Sequence, residues 1–502
     1  MAVDSQPSFA HEFLRRLEAT SSFSNRDSCD FQSYDLRDAS ERELLVTNSR
    51  PEYFHLGTGA SIFTDCLIPA ITLARHEVIL VTCFWAPSKT LTALCDALTK
   101  LAAHRRALIQ DGLARGTTAI PELRVRICLS SRSLLQKLFH PQSRSGYVYP
   151  PSSWPNKLGL PDASVLEAGG IELHVKSLFF LPFSVMHPKF VIIDRHRALV
   201  PSCNVSWEPW LEGCVELVGD VVRPLLDFYS RTWEPTIDFG QPLLDHGAGD
   251  GVGFEARRVG LALVSSTAHH RAALHGTLPT LVLPSSYHRN PRFRPFPWQK
   301  CPTPPSTPLN VALLQLFEQA QRSIYIQTPN ITCEPVIVAL AAALARGVDV
   351  TVVTNRNMMI LEQLVTAGTT TSWSIRSLIR RFRRLNRDDV EMGRRRRGRL
   401  QISYFHPKSR AGPSGRERRP LITTSSQGEE PLHSHLKLTL VDGEYAVLGS
   451  GNLDRASWFT SQELGIMFHG STFCAALKAG VDGVLEGRLA PVFDSDDDEG
   501  RG

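Results

Sequence analysis

The chain has 502 residues, 42% hydrophobic and 21% charged, with a net charge of +5 at pH 7. That balance is ordinary for a globular protein and excludes wholesale disorder, collagen-like repeats and a small disulfide scaffold; the length suits two large domains or about three average ones. No stretch reaches the roughly 18 uninterrupted apolar residues of a membrane span, because the richest, Leu178 to Met186, is broken by Pro182. Met1 to Arg15 has no basic flank leading into an apolar block, so no secretory signal is read there. Ten cysteines between Cys29 and Cys474 form no CxxC pair, a spacing that fits reduced, buried thiols of a cytoplasmic protein better than zinc or disulfides.

Residues 1–55 are polar and mixed and read as an N-terminal extension. From Gly59 the periodicity predicts a helix (Ile62 to Ala74), a strand (Glu77 to Cys83), a long amphipathic helix (Thr90 to Ala107) and a strand (Leu123 to Leu129). Residues 140–163, rich in Pro, Ser and Gly, read as a loop before strands at Ile171 to Lys176 and Phe190 to Ile193. The order then recurs: helix Leu309 to Gln321, strand Ser323 to Gln327, helix Glu334 to Ala345, strand Val348 to Val353, and strands at Leu400 to Phe405 and Leu436 to Val441. Helices alternating with strands in each half predict two repeated α/β lobes, each a mixed sheet flanked by helices. The proline-rich segment 276–308 is the expected linker between lobes 56–275 and 309–485. Residues 486–502 read as an acidic tail, with Asp494 to Glu499 a disordered solubilising end.

The duplication sharpens at two blocks. The first reads His187-Pro-Lys189, then Asp194, Ser202, Asn204 and Glu216; the second reads His435-Leu-Lys437, then Asp442, Ser450, Asn452 and Glu463. His to Asn spans 17 positions in both copies, and Asn to Glu spans 12 and 11. His and Lys two apart on a strand project to one face. Paired face to face, the two halves would bring two imidazoles, two ammoniums, hydroxyls and carboxamides around one cavity. Such a cavity suits a phosphodiester: cations and amides hold the non-bridging oxygens, one imidazole attacks phosphorus, and the other protonates the leaving oxygen.

These two blocks resemble the HKD motifs of the phospholipase D superfamily, and the second, Gly449-Ser-Gly-Asn-Leu-Asp-Arg-Ala-Ser457, looks most like the cardiolipin synthase-like, bacterial-type branch. The resemblance implies a two-lobed phospholipase D fold with its active site at a pseudo-two-fold interface, a phosphohistidine intermediate and no required cofactor or metal. Carried over, His187 would be the nucleophile and His435 the general acid. Lys189, Lys437, Asn204 and Asn452 would bind phosphate oxygens, and Glu216 and Glu463 would orient the imidazoles. Asp194 and Asp442, with Ser202 and Ser450, would be structural motif positions. Pro201 departs from the pattern, standing where relatives carry Gly before the Ser, and puts the shape of the first loop in question. The activity implied is a metal-independent phosphodiesterase or phosphatidyltransferase on phospholipid. The alternatives are a nuclease with the same machinery, and a catalytically dead module binding anionic lipid or nucleic acid.

Eleven arginines fall between Arg376 and Arg399, and Ile375, Leu378, Ile379, Phe382 and Leu385 recur at helical spacing. This is a basic amphipathic helix inserted at 375–399. It suits an anionic membrane surface, at about 1 kcal/mol per basic residue, with nucleic acid the lesser option; the other reading is a solvated insertion. Trp207, Trp210 and Trp458 flank the motifs and are candidates for substrate contact, although aromatics there are more often core. Both motifs in one chain point to a monomer, cytoplasmic and peripheral to membranes.

Overall fold

The computed structural model describes residues 8–21, 34–116, 120–133, 136, 145–180, 184–235, 270–274, 276–286, 302–392, 397–408 and 429–499. The first half contributes β1 (Val46–Thr58), β2 (Glu77–Phe84), β3 (Leu123–Ser131), β4 (Tyr147–Val148), β5 (Ile171–Ser177), a short hairpin of β6 (Phe179–Phe180) and β7 (Ser184–Val185), β8 (Phe190–Ile193), β9 (Arg197–Pro201), β10 (Trp210–Val218) and β11 (His270–Ala273). The second half contributes β12 (Leu278–Ser285), β13 (Ser323–Gln327), β14 (Asp349–Thr354), β15 (Leu400–Phe405), β16 (His433–Ser434), β17 (Leu438–Val441), β18 (Tyr445–Gly449), β19 (Glu463–His469) and β20 (Leu489–Asp494).

Pairing exposes the duplication. One sheet runs β1-β10-β9-β8-β2-β3-β5-β4 and the other β12-β19-β18-β17-β13-β14-β15-β20. In each, the two parallel pairings (β2–β3–β5 and β13–β14–β15) are flanked by antiparallel ones, so the lobes share one mixed topology. Helices make the parallel crossovers, as that pairing requires. Lys89–Arg115 joins β2 to β3. It is capped at the start by Ser88 Oγ, which accepts from Leu91 N at 3.1 Å, and stopped by Gly116 at φ 64°. Its Leu91, Leu94, Leu98 and Leu101 are buried at helical spacing, contributing roughly 1.5–3 kcal/mol each. Glu334–Ala345 plays the same part between β13 and β14. The lobes join where Val46–Ser49 of β1 pairs antiparallel with Leu278–Leu281 of β12.

Three expected boundaries differ. The N-terminal extension does not end at 55: β1 runs through that position, and Phe13 and Leu17 of helix Phe9–Ser21 are buried in the second-lobe core. The linker 276–308 opens with β12, antiparallel to β19; Pro279 and Pro284 had masked it as a strand. Residues 287–301 of that linker lie outside the described residues. The acidic end is ordered, with β20 closing the sheet against β15, Asp494 bonded to Arg399 at 2.6 Å and Ser495–Glu499 helical.

The arginine-rich segment is a helix, Thr371–Met392, whose Ile375, Leu378 and Phe382 are buried in the second lobe and whose Arg381 pairs with Glu334. Its apolar stripe is therefore spent on the protein core, and the face turned to solvent carries Arg376, Arg380, Arg383 and Arg384. Arg394, Arg395 and Arg396 lie outside the described residues. No helix among the described residues is long and apolar enough to cross a membrane.

Candidate active site

Each motif is built on a tight hairpin. β8 turns into β9 through Asp194 (φ 49°) and Arg195 (φ 52°), and β17 into β18 through Asp442 (φ 55°) and Gly443 (φ 67°). Two successive positive φ values define the primed turn that matches strand twist. Arg195, a side chain with no natural liking for that region, is held by two bonds to Glu77, at 2.8 and 3.3 Å. The Asp194 carboxylate accepts from the backbone N–H groups of Arg75, His76 and Glu77 at 2.8–2.9 Å. Asp442 accepts from Gln321, Arg322 and Ser323 at 2.7–2.9 Å. Both aspartates thus pin the motif hairpin to the start of β2 or β13, as structural acceptors.

His187 and Lys189 immediately precede β8, and His435 and Lys437 precede β17. Each ammonium folds back on its own histidine: Lys189 Nζ donates to His187 O at 2.8 Å, and Lys437 Nζ to His435 O at 2.8 Å. Lys437 Nζ also lies 2.9 Å from His435 Nε2. Each histidine backbone is fastened to the opposite lobe, His187 N to Gln462 O at 3.0 Å and His435 N to Leu211 O at 2.8 Å. The two motifs are thereby drawn to a common interface.

The carboxylates complete the exchange. Glu463, at the start of β19 in the second lobe, accepts from Nδ1 of first-lobe His187 at 2.9 and 3.1 Å. Glu212, on β10 in the first lobe, accepts from Nδ1 of second-lobe His435 at 2.8 Å. Glu212, not Glu216, is therefore the first-lobe partner. Glu216 lies four residues, two repeats of the pleat, further along β10, with Oε1 3.0 Å from Arg197 and Oε2 3.8 Å from His55 Nε2. Equal spacing misled because the second copy inserts a helical turn, Arg455–Phe459, between Asn452 and Glu463. The signal that locates Glu212 is strand register: Ser202 N bonds Gly213 O and Ser450 N bonds Leu464 O, so the residue before each acceptor is the matching glutamate.

Ser202 Oγ donates to Glu212, and Ser450 Oγ to Glu463 at 2.5 Å, with Ser457 Oγ adding a bond to Glu463 at 2.7 Å. Both carboxylates are thus fixed by hydroxyls behind the imidazoles. The departure at Pro201 leaves this intact. Gly449 needs its glycine, with φ 151° and space for a Cβ only 2.2 Å from Leu464 O, whereas Pro201 ends β9 in ordinary register opposite Cys214. Asn204 accepts from Phe84 N through Oδ1 at 3.3 Å, and Asn452 Nδ2 donates to Asp454 at 2.9 Å. Of the tryptophans, Trp210 packs on His435 with ring centroids 4.8 Å apart, Trp207 is exposed against Phe84, and Trp458 is core.

Burial sets the resting charge state. It pushes His187 below the usual imidazole range despite the facing Glu463, and His435 down to about 3 despite Glu212. It also brings Lys437 down to about 7. Burial alone would raise Glu212, but His435, Lys437 and the Ser202 hydroxyl hold it below the carboxylate norm. With Nδ1–H donated to a carboxylate, each neutral imidazole carries its lone pair on Nε2. That is the form a nucleophile requires.

Residues 313–483 match the family model described as "Cardiolipin synthase, PLD-like domain". Among solved structures, the chain resembles phosphatidylserine synthase of Haemophilus influenzae Rd KW20 at 14% identity and TM-score 0.51, covering 95% of this chain and 92% of that one. A shorter match is Nuc from Salmonella typhimurium, described as a phospholipase D family member, at 18% identity and TM-score 0.24 over 36% of this chain and 91% of that one. No curated protein sequence matches. The second lobe thus carries the match to a PLD-like domain, and along nearly its whole length the chain shares the fold of that phosphatidylserine synthase.

Proposed function

We propose that the protein is a phosphodiesterase or phosphatidyltransferase that acts on phospholipid through a covalent phosphohistidine. In the first step His187 Nε2 attacks phosphorus; the new P–N bond forms as the P–O bond to the headgroup breaks, and His435 Nε2–H gives its proton to the departing oxygen. In the second step water or an alcohol attacks phosphorus, His435 takes its proton back, and the P–N bond breaks. Lys189, Lys437, Asn204 and Asn452 hold the non-bridging oxygens. His187 takes the nucleophile's part because its Nε2 makes no hydrogen bond among the described residues, whereas Nε2 of His435 faces Lys437. An anionic phosphodiester drawing Lys437 onto its own oxygens frees His435 Nε2 and raises its pKa, so the imidazole takes up a proton from solvent on Nε2 and substrate arms the acid.

The observation that carries lipid over nucleic acid is a cleft of about 510 Å³ in the second lobe, lined by Leu364, Val365, Trp373 and Phe459 together with Arg380 and Arg455. Arg455 follows the motif residue Asn452 by three positions, and Leu361, Val365 and Trp373 on the adjoining helices are 79%, 59% and 54% exposed. Apolar side chains beside a cationic helix face fit the acyl and headgroup layers of an anionic membrane.

Release of headgroup from vesicles of mixed anionic and zwitterionic phospholipid tests this reading. Wild type releases headgroup, and His187→Ala and His435→Ala each lose at least about a thousandfold. Cleavage of oligonucleotides with no lipid turnover would overturn the lipid assignment, and full activity in both variants would overturn the mechanism. Added glycerol distinguishes transfer from hydrolysis by the product formed.

A further inference from the structure

Away from the two histidines, three buried side chains of the first lobe converge on one point, and a fourth adjoins them. His55 lies on β1 directly across from Cys214 on β10. Glu216 is two residues beyond Cys214 and so on the same face of the sheet. Cys66 reaches that face from a π-helical turn, Phe63–Leu67, a local widening that recurs at functional sites. His55, Cys66, Cys214 and Glu216 are 4%, 6%, 1% and 7% exposed. One ligand atom each from His55, Cys66 and Glu216 fall within 4.8 Å of one another. Cys66 Sγ is 3.9 Å from Cys214 Sγ, and His55 Nε2 is 3.8 Å from Glu216 Oε2.

We propose that these four side chains form a structural site for a tetrahedral, thiolate-seeking divalent ion of the zinc class. A tetrahedral ion with bonds of about 2.0–2.3 Å holds its ligand atoms about 3.3–3.8 Å apart, close to the 3.9 Å between Cys66 Sγ and Cys214 Sγ and the 3.8 Å between His55 Nε2 and Glu216 Oε2. The ligand set of two sulfurs, one imidazole and one carboxylate is one that zinc accepts. Charge also balances. Two thiolates and a carboxylate bring three negative charges, the ion brings two positive, and the Arg197 guanidinium on Glu216 Oε1 supplies the third. Because the ligands come from three elements 11 to 161 residues apart in the sequence, no CxxC spacing announces them. Glu212 is two residues from Cys214 on the same face of β10, so the ion would stiffen the strand that orients His435. The ion takes no part in phosphoryl transfer, and the site stands independently of the proposed reaction.

The test uses the full chain produced with zinc, kept reduced and desalted, with metal measured by atomic emission. Wild type retains about one zinc per chain. Cys66→Ser and Cys214→Ser lose it, while Cys333→Ser, buried in the other lobe, keeps it. Should the ligand variants fail to fold, stripped wild type answers instead. Cobalt then produces thiolate-to-metal charge-transfer absorption, and zinc shields Cys66 and Cys214 from alkylation. Absence of both retained zinc and the cobalt band, or a Cys66–Cys214 disulfide in the purified protein, would overturn the proposal. So would equal zinc in the two ligand variants and wild type.

Discussion

At the scale of single residues, the exchange of carboxylates makes the clearest distinctions. Glu212→Gln removes the partner of His435 and should lower kcat by about 10²- to 10⁴-fold, whereas Glu216→Gln should leave kcat within a few-fold in zinc-replete protein. Steady-state kinetics on the two variants checks this. The sign of the pH response follows from the same contacts. Burial lowers the pKa of His187 and the Glu463 carboxylate opposes that shift. Glu463→Gln therefore moves the acid limb of the kcat/KM profile to lower pH while reducing its height, and Glu212→Gln moves the alkaline limb to lower pH by depriving the acid of the charge that holds its proton. Stability runs the other way. Both imidazoles titrate lower folded than unfolded, so the unfolded chain binds more protons from about pH 6.5 downward and the fold weakens as pH falls through that window. Of these residues, the placement of both His-Lys pairs and of Glu463 at the interface was readable because the motif repeats them at fixed spacing. Glu212 was not, since its identity depends on a register that a helical insertion in the other copy obscures.

At the scale of elements, the motif hairpins carry their own prediction. Asp442→Asn removes the charge from a group that accepts three backbone N–H bonds and should cost about 1–3 kcal/mol in urea unfolding, with the same sign for Asp194→Asn. Gly449→Ala should be more disruptive than any change at Pro201, because a Cβ at Gly449 meets the backbone of β19. The strands with unbroken β-branched runs, such as β2, β8 and β13, were legible in the sequence, as were the long helices. β1 and β12 were not, because Pro51, Gly57, Pro279 and Pro284 interrupt them and their burial comes from pairing with each other and with β10 and β19. The helix Thr371–Met392 shows the opposite limit: its amphipathic period was plain, but nothing in the period says whether the apolar stripe meets a membrane or, as here, the helix and sheet of its own lobe.

At the scale of the whole molecule, each lobe supplies one motif histidine and the carboxylate that accepts from the other lobe's histidine. Neither lobe holds an oriented imidazole alone, and one chain completes the site. The protein should therefore run as an active monomer in size-exclusion chromatography, and mixing His187→Ala with His435→Ala should restore no turnover; recovery on mixing would place the site between chains. The measurement that bears most directly on the mechanism is mass spectrometry of His435→Ala after reaction with a p-nitrophenyl phosphodiester, whose leaving group needs no proton. The covalent phosphoryl adduct should accumulate on His187, because the group that activates water for its release is gone, and His187→Ala should form none. An adduct in His187→Ala, or none in His435→Ala when p-nitrophenol is released, would contradict the two-histidine mechanism.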